Sequence, residues 1–262
     1  QPKDSTGTRW ALPWIEPSLH GIRLPQVSGS VWNGRAGAVI AADGRTRGQL
    51  QWQLSRSSLL GQPRLHLDFD GPQLPLSGVL ERLPGDEVEV RDANVRAGST
   101  AIGEELATPW GKPRGELQLQ VPHARLRAGW PMQMDAQASW HDAVMRTPQG
   151  DVALGELQAT ARARGGVIDV QLRDSGSGPL QLAGELQLSP LGWRLDATLH
   201  ARQTDPTLRR WLTTLAPPAA DGSTHIRRHG GLAANAPPAP TPCRHASRLP
   251  PAIAATALAA AR

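Results

Sequence analysis

Hydrophobic and polar residues alternate with a period of two along most of this chain. The clearest stretch is residues 177–202. There Leu180, Leu182, Leu186 and Leu188 share one register with Gly184, and after a break at 190–192 the series Trp193, Leu195, Ala197, Leu199 and Ala201 resumes it. Arg194, Asp196, Thr198 and His200 fill the positions between. Successive side chains of a strand point to opposite faces, so the stretch predicts a hairpin with one oily and one wet face. Gly184 within it predicts a bulge or a close backbone approach.

The same rhythm predicts strands from residue 26 onward. Val27, Gly29 and Val31 alternate up to Trp32, and Asn33 with Gly34 forms a tight-turn dipeptide. Residues 36–42 return, and Asp43 with Gly44 marks the next turn. Leu50, Trp52 and Leu54 share a face, as do Leu65, Leu67 and Phe69, then Leu74, Leu76, Gly78 and Leu80. Val88 and Val90 lead toward Val95, residues 99–106 read as a short helix, and Leu117, Leu119 and Val121 face inward. Met132, Met134, Ala136 and Ala138 alternate into Trp140, followed by strands at 152–163 and 168–172. One helix is strongly signalled. Asp205 is its N-cap, Pro206 its first residue, Leu208, Trp211, Leu212 and Leu215 its apolar stripe, and Pro217 with Pro218 its stop. Residues 222–232 read as a final short strand.

The two parts of the chain can be overlaid. Trp32 falls on Trp140, residues 48–51 on 155–158, residues 76–80 on 182–186 and Gly115 on Gly222, at offsets of about 107 residues. The expected fold is therefore mainly β: antiparallel meander sheets in two duplicated β-rich halves, with one or two short helices. The boundaries expected are an N-terminal juxtamembrane arm at 1–25, a first half at 26–122, a second half at 123–232, and a disordered Ala/Pro-rich tail at 233–262.

Composition refines this picture. With 262 residues, the chain has material for one sizeable domain or two small ones. A hydrophobic fraction of 39% and a mean hydropathy of −0.37 fit sheets that are wet on one side. The net charge of +5 and pI near 10.7 fit either a polyanion partner or solvated strand faces, and the scatter of arginines along the chain favours the second. Cys243 is the only cysteine, so no internal disulfide is possible. No run of about 18 apolar residues is present. The sequence starts at Gln1 rather than Met, which leads us to expect a product trimmed upstream. Trp10, Leu12, Trp14 and Ile15, set among Pro2, Pro13, Pro17 and Pro25, read equally as a membrane-interface belt or as an arm tucked against the domain.

Candidate chemistry is sparse. The nucleophile-elbow, zinc-protease, P-loop and paired-cysteine motifs are all missing from the sequence. His225 and His229 have a helical metal spacing, but on a strand they would stand about 13 Å apart. Glu104 with Glu105 reads as a solvated helix face, and Arg227 with Arg228 as an exposed strand end or a phosphate contact. Trp52, Trp193 and Trp211 fall in core phase, so packing is favoured over ligand stacking. No catalytic residue, metal or cofactor is expected, and the chain reads as a non-enzyme.

Residues 24–36, Leu-Pro-Gln-Val-Ser-Gly-Ser-Val-Trp-Asn-Gly-Arg-Ala, resemble the signature of the type II secretion system protein N family. The strand at 48–54 with Gly48 and Trp52, the hairpin start at 179–188, the helix with Pro206, Leu208 and Leu212, and the turn at Asp221 and Gly222 fit in order. The resemblance covers about residues 10–232. It implies a single-pass inner-membrane protein with a periplasmic domain, acting in the machine that exports folded proteins. This sequence departs from the family in having no transmembrane helix and in its tail after Leu232. The implied partners are inner-membrane platform proteins and the outer-membrane secretin, with no nucleic acid. Meanders leave edge strands that suit pairing with a partner strand. The expected docking edges are residues 27–35, with Val27, Gly29, Val31, Trp32 and Arg35, and the last strand, with Ile226 and Arg228. The alternative is a β-groove carrier of lipid or another hydrophobic ligand of the cell envelope. A cell-wall glycan hydrolase is a distant third, for want of a carboxylate constellation.

Overall fold

Alternating residues build the whole scaffold. In a computed structural model, residues 24–231 are described apart from 41–43, 45, 58–62, 73, 100–107 and 203–204. The helix expected at 99–106 (Ser99 apart), Glu104 and Glu105, residues 1–23, the tail and Cys243 lie outside the described residues.

The strands are β1 (Val27–Gly29), β2 (Asn33–Ile40), β3 (Thr46–Leu54), β4 (Arg64–Asp70), β5 (Leu76–Leu83), β6 (Glu87–Ala97) and β7 (Lys112–Arg127). They continue as β8 (Trp130–Thr147), β9 (Gly150–Arg164), β10 (Val167–Asp174), β11 (Leu180–Ser189), β12 (Gly192–Ala201) and β13 (Thr224–Gly231). The helix α1 (Pro206–Leu215) joins β12 to β13. All thirteen strands form one antiparallel sheet whose spatial order is the chain order. The expected boundary at 122 falls inside β7, and β7 pairs along its length with β8. The sheet thus runs without a break across residue 122.

Register shows why this sheet has a single oily face. One row of partners crosses every strand. It runs Val27, Ala36, Leu50, Phe69, Leu76, Val95 and Leu119 through the first seven. Ala138, Ala159, Leu172, Gly184, Ala197 and Ile226 complete it through the last six. A slip of one residue in any strand would turn its apolar side chains toward water, so the pattern itself fixes the pairing.

Several strands keep that face only by changing phase, β8 and β9 among them. In β8 the inward set is even-numbered through Trp140 and odd from Ala143, while in β9 it is even at Val152 and Leu154 and odd from Leu157. The pairing shifts register between Trp140 and Ala143, where Asp142 (φ 48°) and Gly155 (φ 89°) take left-handed backbone conformations. These bulges increase local twist.

The oily face is sealed unevenly. The α1 stripe of Leu208, Trp211, Leu212 and Leu215 is buried, and the helix touches β9 on one side and β12 and β13 on the other. Ile168, Val170, Leu180, Leu186 and Leu188, from β10 and β11 between them, join the same core. The last five strands therefore cup the helix. Asp205 caps α1 by accepting from the backbone N–H groups of Thr207 (2.7 Å) and Leu208 (3.3 Å), with Pro206 next, as the sequence predicts. In the first half Leu50, Trp52, Leu67, Phe69 and Leu80 are only half-buried, and Leu76 is 38% exposed. Among the described residues, no helix packs on that half.

The expectation at the first turn is corrected. Asn33 and Gly34 do not form the first turn; they open β2, and Val31 and Trp32 lie in the bend before it rather than in a strand. Ser30 closes that bend, its N–H donating to the Asn33 carbonyl (2.8 Å) and its Oγ accepting from the Asn33 N–H (3.1 Å). Gly34 serves packing instead, since a Cβ there would collide with the Trp52 ring. Gly184 keeps regular pairing without a bulge, and its Cβ would stand 3.0 Å from the Ala197 Cβ, which is the close approach anticipated.

Candidate functional site

An open meander has two edges, and the residues expected to dock partners divide between them. Val27 and Gly29 lie in β1, the first edge strand, paired on its inner side with β2. Val31 and Trp32 occupy the adjoining bend, where the Val31 carbonyl accepts from Trp52 Nε1 at 3.3 Å. Arg35 sits one strand in, on β2, exposed and opposite Ser28 and Gln51. Ile226 and Arg228 lie at the other end of the sheet, on β13. The fold does not bring the two sets together.

The β13 edge has a built shape. A hollow of about 640 Å³ lies between the strand residues His225, Ile226, Arg227 and Arg228 and the wall formed by Leu215, Ala216 and Pro217. Arg228 donates from Nη2 to the Leu215 carbonyl (3.3 Å). That places a cation at the C-terminal end of α1, whose last turn carries none of its own and whose carbonyls bear the negative end of the helix dipole. Arg227 lies 2.9 Å from Asp196 on β12 yet remains 82% exposed. His225 is held by Thr198 Oγ1 (3.0 Å) and Ser223 Oγ (3.1 Å), and Ser223 Oγ donates to Asp221 (2.6 Å). Hydrogen bonds from Ser223 hold the Asp221 carboxyl below the usual carboxylate range. The wall contributed by residues 215–217 was missed in the sequence; its only signal there is the pair Pro217 and Pro218 ending the helix.

Near the β1 edge a second hollow of about 730 Å³ opens on the wet face, bordered by Trp32, Arg56, Arg64, His66 and Arg91. Its charges are largely committed. Arg64 pairs with Glu81 (2.9 Å), and Arg91 pairs with Glu89, which also meets His123 Nε2 (2.8 Å). The His123 contact does most to hold Glu89 below its ordinary value, against a burial penalty that pushes the other way.

Acid–base groups occur elsewhere without a cleft. Ser139 Oγ lies 3.1 Å from His141 Nε2, and His141 Nδ1 lies 2.6 Å from Glu156. The order resembles nucleophile, base and acid. The three sit on the wet face of β8 and β9, and none lines either hollow. Glu156 also accepts from the Asp142 backbone N–H (2.9 Å), the main cause of its lowered pKa, so the group pins the bulge. His225 and His229 share β13, and among the described residues no group of three or more metal-ligating side chains gathers.

The profile of the family described as type II secretion system (T2SS), protein N, matches residues 20–227. The chain belongs to that family. A type II secretion system protein N of Pectobacterium carotovorum subsp. carotovorum is 24% identical over 219 residues, covering 82% of this chain and 86% of the relative. The Aeromonas hydrophila type II secretion system protein N is 26% identical over 234 residues, covering 83% and 87%. No solved structure matches the chain. Membership in the protein N family supports a role in type II secretion. The positions on which the resemblance rests act as spacers and locks in this fold: Gly34 under Trp52, Gly184 against Ala197, and Asp221 tied to Ser223. Among the described residues, no helix is long and apolar enough to cross a membrane.

Proposed function

We propose that this chain is a non-enzymatic assembly factor, a periplasmic domain at the inner-membrane side of the type II machinery that binds other secretion components through its strand edges. One observation carries the reading: among the described residues, a sheet of thirteen consecutive strands has β1 and β13 as its outermost strands and does not pair them with each other. Edge strands present N–H and C=O groups to one side, and such edges accept partner strands. The acid–base groups described serve bulges and turns, which agrees with a binding role. Copurification from envelope extracts is the test. Recovery of inner-membrane platform proteins or the secretin with this chain supports the reading, and their consistent absence contradicts it.

A second reading is favoured by the half-covered oily face of β3 to β6, on which Leu76 is 38% exposed. A hydrophobic-ligand carrier would use that face as its groove. Mass spectrometry of organic extracts from the purified protein separates the two: stoichiometric lipid supports the carrier, and none supports the assembly factor.

A further inference from the structure

We infer that the hollow beside β13 receives an extended acidic segment of a partner protein, added as a fourteenth strand. The inference rests on the assembly reading and specifies the partner's chemistry. Three features converge. Among the described residues β13 pairs with β12 on one side, and on the other only Thr224 is bridged, by Pro218, so beyond Thr224 alternate N–H and C=O groups of β13 point away from the sheet. Leu215, Ala216 and Pro217 line the same space together with the strand, which makes it a slot rather than a bare edge. Its strand wall carries Arg227 and Arg228 on opposite faces, and among the described residues the one acidic group within ion-pair distance of either is Asp196, at Arg227.

An added strand would place alternate side chains against these two faces. Those on the wet face meet His225 and Arg227, and those on the oily face meet Ile226 and the guanidinium of Arg228. Opposite charges directly across a strand pair stabilise it, and like charges oppose it. That decides among occupants. Two copies joined through β13 would set arginines and histidines against one another. Residues 232–262 of this chain contain no Asp or Glu and carry Arg244, Arg248 and Arg262, so they share the slot's sign. An acidic strand from another protein is the occupant whose charge fits.

The test uses the full chain and three blocked eight-residue probe peptides: alternating glutamate and valine, alternating lysine and valine, and the glutamate peptide N-methylated at alternate residues. Calorimetry or fluorescence anisotropy is expected to show binding of the first alone. The double variant Arg227→Glu with Arg228→Glu should bind the glutamate peptide at least about tenfold more weakly, equivalent to about 1.4 kcal/mol. It should also acquire affinity for the lysine peptide, a gain that misfolding does not produce. Equal binding of both charge types, unaffected binding of the N-methylated peptide, or no binding of any peptide overturns the inference. If copurification with secretion components persists in any of those cases, the assembly reading stands and only the acidic-strand chemistry falls.

Discussion

Indole rings and short carboxylates hold the turns of this sheet. Trp52, Trp130, Trp140 and Trp211 donate their ring N–H groups to the backbone carbonyls of Val31, Gly166, Arg114 and Trp110. Each ring N–H thus satisfies a backbone acceptor, and those of Val31, Gly166 and Trp110 lie outside the strands. Gly34→Ala is expected to cost about 1–3 kcal/mol by overpacking against Trp52, and Trp52→Leu in the same chain should recover part of it; denaturant titration reads both. Asp174 ties the turn before β11. It accepts from the Leu182 and Gly176 backbone N–H groups at 2.8 Å each and pairs with Arg202 at 2.6 Å. Burial raises its pKa, but the Leu182 N–H, Arg202 and the Gly176 N–H together outweigh that and leave it below the ordinary 3.8. Asp174→Ala should destabilise by about 1–3 kcal/mol, since two backbone donors lose their acceptor. Because the folded pKa is lowered, the stabilisation is complete above about pH 4 and drains away as pH falls through the folded value. Melting temperature between pH 7 and pH 3 should fall more steeply in the wild type than in Asp174→Ala. Parallel curves would refute this assignment.

Among the elements, α1 and the bulges differ in how far the sequence foretold them. The helix was legible from its cap, its proline and its stripe because each is a local signal with one physical meaning. The hairpin of β11 and β12 was legible for the same reason, as two clean alternations separated by a break. The phase change in β8 was not. Asp142 and His141 look like ordinary wet-face residues, and only the pairing with β9 shows that a left-handed residue there resets the inward face. The first turn was misread because Asn-Gly is a strong turn dipeptide, whereas here Gly34 is required by a ring arriving from a strand 18 residues later. Uneven sealing by α1 gives a graded prediction. Leu186→Ala, at a site 1% exposed, should cost about 2–5 kcal/mol, and Trp211→Ala about 3–5 kcal/mol. Leu67→Ala, in the half-covered region, should cost less than half as much as Leu186→Ala. Equal losses would mean that the first half is sealed as tightly as the second.

At the scale of the molecule, the described residues form a ribbon of thirteen strands laid down in order, closed over a helix at one end, with β1 and β13 outermost. The sequence announced the strands and which of them stand first and last. It did not announce the slot beside β13, because Leu215 to Pro217 and His225 to Arg228 are separated in sequence and meet only when the helix is folded back. The function read from this architecture depends on contact at the edges. Site-specific photo-crosslinking in cells with an assembled secretion system tests it most directly, with probes at Ile226 and His229 on β13, at Ser28 on β1, and at Gln171 in mid-sheet on the wet face of β10. The account predicts crosslinks to other secretion components from an edge probe and none from Gln171; crosslinks from Gln171 with both edges silent would contradict it.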